Sequence, residues 1–222
     1  MKKNLFNIGI RAKKASKIKI NTKDKNKVLT NFLNLINKNK NVIFRENNKD
    51  IKFALENNLP ENLIDRLTLN PEKLEEIQVS IKNIIKLNDP INKVIDKWKR
   101  PNGLVIKKVS NPIGVIGIIY ESRPNVTSDV ASLCFKSGNA VILRGGSEAY
   151  NSNKILTNLF RVALKINKID QNYVQIIKDK NRKSVDYFSY RLQVCHPPSP
   201  HCSRNGVACT AAAKDSQPAH TY

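Results

Sequence analysis

Two clusters in the middle of the chain hold the residues whose types and spacing could do chemistry. Arg144-Gly145-Gly146-Ser147-Glu148 follows the apolar run at 140–143, and Glu121-Ser122-Arg123-Pro124-Asn125 follows the apolar run at 115–120. A guanidinium can grip a phosphate with two hydrogen bonds, and paired glycines after a strand let backbone come close to a phosphate or ribose. Ser147 stands where it could cap the next helix, whose positive N-terminal end would favour an anion. The plainer readings are a simple turn at Gly-Gly and a surface ion pair for Arg144. In the other cluster, Arg123 suits an anionic substrate and Asn125 could donate to a developing oxyanion. An ordinary tight connection accounts for Arg-Pro-Asn equally well.

The elements around these clusters read as an α/β unit. Runs at 115–120, 140–143 and 173–177 are continuous and apolar, as expected of parallel strands covered on both faces. Helix-length segments at 127–136 and 147–165 separate them. In an open sheet of this kind ligands bind beyond the carboxyl ends of the strands, so both clusters should face one crevice. The first ninety residues read as helical. Val28, Leu29, Phe32, Leu33, Leu35 and Ile36 share one face, behind Thr22 and Asp24 as start signals. Pro60 suits the first turn of a short helix carrying Leu63, Ile64 and Leu67, and Pro71 opens another with Leu74, Ile77, Ile81, Ile84 and Ile85 on one side. Runs at 94–98 and 104–109 flank turn chemistry at 99–103 and read as a hairpin. Such an arm could bridge domains or subunits, so a homo-oligomer stays open.

Charge and cysteine usage narrow the function classes. The net charge of +21 invites a nucleic-acid reading. The lysines are spread along the whole chain without interleaved aromatics, so a solvated basic surface is preferred. No apolar run reaches the roughly 20 residues of a membrane span, and the basic N-terminus lacks a signal-peptide core. A cytoplasmic protein is expected. Cys134 lies between Leu133 and Phe135 on a helix and reads as a buried structural cysteine. Cys195, His196, His201 and Cys202 do not follow paired zinc-ligand spacing, so no metal is assigned. Asn and Ile, abundant before residue 188, almost vanish after it, and the segment 189–222 reads as a disordered tail.

The stretch GVIGIIYESRPNVTSDVASLCFKSGNAVILRGGSEA, with IGIRAKKAS near the start, LIDRLTLNPEKL at 63–74 and LNDPINKVID at 87–96, resembles γ-glutamyl phosphate reductase. That family, also called glutamate-5-semialdehyde dehydrogenase, is part of the aldehyde dehydrogenase superfamily. The resemblance runs to about residue 188. It implies an aldehyde-dehydrogenase-like fold for 1–188, with N-terminal helices leading into the first part of a parallel-sheet NADP-binding domain. It also implies NADPH as cofactor, γ-glutamyl phosphate as substrate, and reduction to glutamate-5-semialdehyde in proline biosynthesis through a cysteine thioester. By resemblance, Arg144 lies where these enzymes set a basic residue against the adenosine ribose or its phosphate, with Gly145, Gly146, Ser147 and Glu148 lining the same region. Arg123 and Asn125 fall near the oxyanion loop. The family's nucleophilic cysteine belongs beyond the matching stretch, which implies an N-terminal portion without activity of its own. The competing class is a non-enzymatic basic fragment that binds nucleic acid or a full-length homologue.

Overall fold

The computed structural model describes residues 2–177. The expected boundary near residue 188, the tail at 189–222 and its Cys/His cluster lie outside those residues. Five helices come first: α1 (Lys2–Ser16), α2 (Thr22–Lys38), α3 (Lys40–Glu56), α4 (Glu61–Leu67) and α5 (Pro71–Lys86). Asn21 caps α2 by accepting from the Asp24 backbone N–H at 2.8 Å, and Asn70 caps α5 through Lys73 at 2.7 Å with Pro71 just inside. Pro60 precedes α4 as its N-cap and is not within its first turn. Among the described residues, no helix is long and apolar enough to cross a membrane.

An antiparallel ribbon follows, β1 (Val94–Lys99) with β2 (Val105–Val109), and then the α/β unit. Here β3 (Val115–Ile119), β4 (Ala140–Arg144) and β5 (Val174–Ile176) pair in parallel in the order β3-β4-β5. They are joined by α6 (Pro124–Lys136) and α7 (Tyr150–Ile166). Every β4 residue is buried, so both faces of the sheet are covered. Right-handed crossovers place α6 and α7 on one face; α1 packs directly on the strands and supplies the other cover. Tyr173 donates to the carbonyl of Ile18, and Gln175 Nε2 donates to Ile8 at 2.9 Å, fastening α1 to β5.

Beyond α6 and α7, helices α2, α3 and α5 form an outer layer. Phe160 links the layers, with ring centroids 4.7 Å from Phe32 and 5.7 Å from Phe135. Among the described residues Cys134 is the one cysteine; it is 7% exposed, and burial pushes its thiol up to about 11. It is core, as its apolar neighbours in the sequence suggested.

A buried ion pair ties the ribbon's base to the helices. Lys25, 1% exposed, contacts Asp89 at 2.8 Å. Asp89 also accepts from Thr22 Oγ1 at 2.8 Å and from the Ile91 backbone at 3.0 Å. Burial pushes the Asp89 carboxyl upward, but Lys25, Ile91 and Thr22 together outweigh that and hold it below its ordinary value.

Candidate functional site

Parallel pairing sets Ile119 beside Arg144, so the segments leaving β3 and β4 emerge side by side. The Tyr120 backbone N–H donates to the Arg144 carbonyl at 3.1 Å, extending the ladder into that region. Beneath it runs a buried chain of hydrogen bonds. Tyr120 OH lies 2.6 Å from Thr127 Oγ1, which donates to Asn153 Oδ1 at 2.8 Å. Thr127 spends its one proton on Asn153, so Tyr120 is the donor to Thr127. Burial lifts the Tyr120 phenol to about 12, which keeps that proton in place.

The glycine pair is explained by this packing. A Cβ at Gly145 would run into the Asn153 amide and stand 3.0 Å from the Tyr120 ring. A Cβ at Gly146 would collide with Ser122 Oγ and come within 2.8 Å of the Glu148 carboxylate. Close approach is real here, but what approaches is the neighbouring segment of the same chain.

Glu148 sits at the junction of the two clusters. Its Oε2 accepts from Ser122 Oγ at 2.6 Å, and its Oε1 accepts from Ser147 Oγ at 2.8 Å. Partial burial pushes this carboxyl up; the bonds from Ser122, its own backbone and Ser147, with the Arg144 charge, more than offset it. The net shift is downward, so the group is an anion at neutral pH. Arg144 is 8% exposed, and its Nη1 donates to the Gly145 carbonyl at 2.6 Å. The guanidinium is folded inward beneath its own loop.

Three sequence expectations are corrected. Ser147 does not cap the following helix: its hydroxyl is turned to Glu148, and residues Ser147–Ala149 form a 3-10 turn before α7 begins at Tyr150. The free helix end expected for an anion is also taken. Asp50 of α3, 2% exposed, accepts from the backbone N–H groups of Asn151 and Ser152 at 3.1 and 2.8 Å, and from their side chains at 2.8 and 2.6 Å. A carboxylate from another helix thus satisfies the first turn of α7. Finally, α6 starts at Pro124 instead of 127 because Pro fits N1, so Asn125 stands in the first helical turn and is not a loop residue.

Arg123 holds the position before α6, with its backbone N–H on the Glu121 carbonyl at 2.8 Å, and its side chain and that of Asn125 are exposed. Glu121 is exposed and lies 3.6 Å from Arg66 of α4. The geometry brings Ser122, Arg144, Gly145, Gly146, Ser147 and Glu148 together and leaves Arg123 and Asn125 at the rim. Sequence reading missed Ser122 as the partner of Glu148, and missed the Asn47–Asp50 node behind the site. Asn47 accepts from the Leu69 backbone at 2.8 Å and donates to Leu67 and Ser152, both at 2.9 Å. The available signal was alternating four- and three-residue spacing: Asn47, Asp50 and Ala54 share a helical face with Ile43. Cavities of about 350 Å³ and 710 Å³ lie elsewhere, against α1 and β5 and between α5 and α6. Among the described residues no cluster of His, Cys, Asp or Glu could hold a metal ion.

A parallel sheet with its polar clusters at the carboxyl ends of adjacent strands, preceded by a helical layer and a ribbon, is an aldehyde-dehydrogenase-like arrangement. The acetylating aldehyde dehydrogenase of Geobacillus thermoglucosidasius superposes with a TM-score of 0.58 over 85% of this chain and 39% of its own, at 14% identity. Sequence narrows the class further: the chain matches the N-terminal portion of proteins named γ-glutamyl phosphate reductase. It is 47% identical over 167 residues to that protein of Dictyoglomus thermophilum, covering 75% of this chain and 40% of the relative. The structure of γ-glutamyl phosphate reductase from Thermotoga maritima matches with a TM-score of 0.80 and 38% identity, covering 83% of this chain and 45% of that one. The chain therefore spans less than half the length of these relatives. No protein-family model matches it.

Proposed function

We propose that the carboxyl ends of β3 and β4 form one wall of a site where a nicotinamide cofactor, NADPH, reduces γ-glutamyl phosphate to glutamate-5-semialdehyde, a step of proline biosynthesis. The observation that carries this is the Ser122–Glu148–Ser147 junction. It fixes an ionised carboxylate at the place where an α/β sheet receives a ribose. Carboxylate oxygens accept from sugar hydroxyls, and the backbone of Gly145 and Gly146 flanks the same spot. Arg144 supplies positive charge beneath it toward the ribose or its phosphate.

When bound, the cofactor supplies a hydride to an acyl carbon. The chain's own residues bind and orient. Arg123, exposed at the rim, attracts the anionic substrate. Asn125, exposed in the first turn of α6, would donate its amide to the oxygen that gains charge. The nucleophile that would carry the acyl group is a thiolate. Cys134 does not fill that role, because its thiol is buried and titrates near 11. Among the described residues no other cysteine could take its place, and the chain is expected to turn nothing over.

Fluorescence titration of the chain with NADPH and NADH tests the first half, with Glu148→Gln and Arg144→Gln beside it. Loss of the NADPH signal in both variants supports the wall; unchanged binding in both sinks it. Incubation with glutamate-5-semialdehyde, phosphate and NADP should produce no NADPH absorbance, and clear turnover would overturn the second half.

A further inference from the structure

Strand β5 is outermost in the order β3-β4-β5. Beside it lies a cavity of about 350 Å³ walled by residues of α1, α7 and β5, a volume that suits a small molecule. Helices α1 and α7 cover opposite faces of the sheet, so a space walled by both opens at the sheet's edge. Arg11 comes to it from α1 and Arg161 from α7, with Asn4 and Asn158 beside them. Among the described residues no carboxylate lines it.

The two guanidiniums act on each other across this space. Arg161 is half-buried, and loss of water together with the Arg11 charge lowers its hold on a proton, against an opposing pull from Asp170. Neither arginine has an ion pair among the described residues. Arg161 Nη1 donates to the Val174 carbonyl at 3.0 Å, which uses one of the five N–H groups a guanidinium carries. The side chains of Arg11, Asn4 and Asn158 have no hydrogen-bond partner among the described residues. The other amides in the wall are committed. Gln175 Nε2 donates to the carbonyls of Ile8 at 2.9 Å and Asn172 at 3.3 Å, and Asn172 Nδ2 donates to Asp170 at 2.8 Å.

Two like charges sharing a half-dry cavity are costly unless an anion lies between them. A carboxylate would neutralise one of them. A phosphate group carries close to two negative charges at neutral pH and three acceptor oxygens, and guanidiniums bind it through paired bonds. The cavity is larger than a phosphate group, and Leu5, Ile8 and Ile176 give the remaining space an apolar wall. We propose that the edge of β5 carries a binding site for a small phosphomonoester. Arg11 and Arg161 hold its phosphate, and Leu5, Ile8 and Ile176 face its carbon portion. The amides of Asn4 and Asn158 donate to the oxygens that remain. The site uses no residue of the β3–β4 wall, so it stands independently of the cofactor reading.

Titration calorimetry of the whole 222-residue chain tests it, with phenyl phosphate, inorganic phosphate and benzoate as probes. Phenyl phosphate should bind one to one, and roughly tenfold more tightly than benzoate, which lacks the second charge. It should also exceed inorganic phosphate by roughly fivefold, from burial of its ring. Arg11→Gln, a change at an exposed position, should weaken phenyl phosphate by roughly tenfold. Arg161→Lys keeps the charge but loses the planar fork and should weaken it too, with a thermal melt to separate that loss from misfolding. In NMR the Nε–H signals of Arg11 and Arg161 should move along the same titration curve. Absence of saturable binding overturns the proposal, as does full affinity in Arg11→Gln. Binding kept in Arg11→Gln but lost in Arg144→Gln would put the anion at the β3–β4 wall and overturn it as well. Benzoate equal to phenyl phosphate overturns the choice of a dianion, and inorganic phosphate equal to phenyl phosphate overturns the choice of an ester.

Discussion

At Gly145 the tolerance for extra atoms is nearly zero, because the rigid Tyr120 ring and the buried Asn153 amide close on its α-carbon. Gly145→Ala should cost about 1–3 kcal/mol, the usual penalty of overpacking a filled site, measured by urea denaturation. Gly146 differs in kind. Its obstructing atoms belong to Ser122 and Glu148, so Gly146→Ala should separate those side chains and release the hold on the Glu148 carboxyl. NMR titration would show that carboxyl moving up toward its ordinary value. The pair Gly145-Gly146 was conspicuous in the sequence. The identity of the atoms around it was not, since Tyr120 and Ser122 come from the segment leaving β3 and Asn153 from α7.

Among the elements, α3 has the least readable sequence and one of the heaviest structural duties. Its buried face mixes Ile43 and Ala54 with Asn47 and Asp50, so the apolar period that marks α2 and α5 is broken. Asp50→Ala leaves two backbone donors at the start of α7 and two side chains without their acceptor. It should lower stability by about 2–4 kcal/mol, a lost cap together with buried hydrogen bonds to a charged group. Denaturant unfolding would measure it. The base of the ribbon depends in the same way on Lys25 and Asp89. Lys25→Met strands a largely buried carboxylate and should cost about 3–5 kcal/mol by the same assay, with replacement of both partners by apolar residues recovering most of the loss. The pH dependence follows from the sign of the shift: Asp89 titrates lower folded than unfolded. Its contribution is present above the ordinary carboxylate range and is lost as pH falls through the depressed value. Thermal melts of the wild type should fall across that acid window, and those of Asp89→Asn should fall less.

On the scale of the whole molecule, parallel strands with crossover helices were evident from apolar runs and turn chemistry. Those signals are local, and each is written in a few consecutive residues. The family resemblance was legible for the same reason, being carried by a contiguous segment. Arg144, Gly145, Gly146, Ser147 and Glu148 form one peptide, and their clustering needed no structure. Their partners did: Ser122 arrives from the segment leaving the neighbouring strand, Asp50 from a helix about a hundred residues earlier, and Arg144 proves to be folded under its loop. Long-range pairing through buried polar atoms has no periodicity for a sequence to display. Sequence alone therefore determined the class of fold and the stretch of chain proposed above as a cofactor wall. Tertiary structure decided that the N-terminal end of α7 is already neutralised and that the glycines make room for protein atoms. Each of these depends on which side chains meet in space, which packing of the whole chain alone sets.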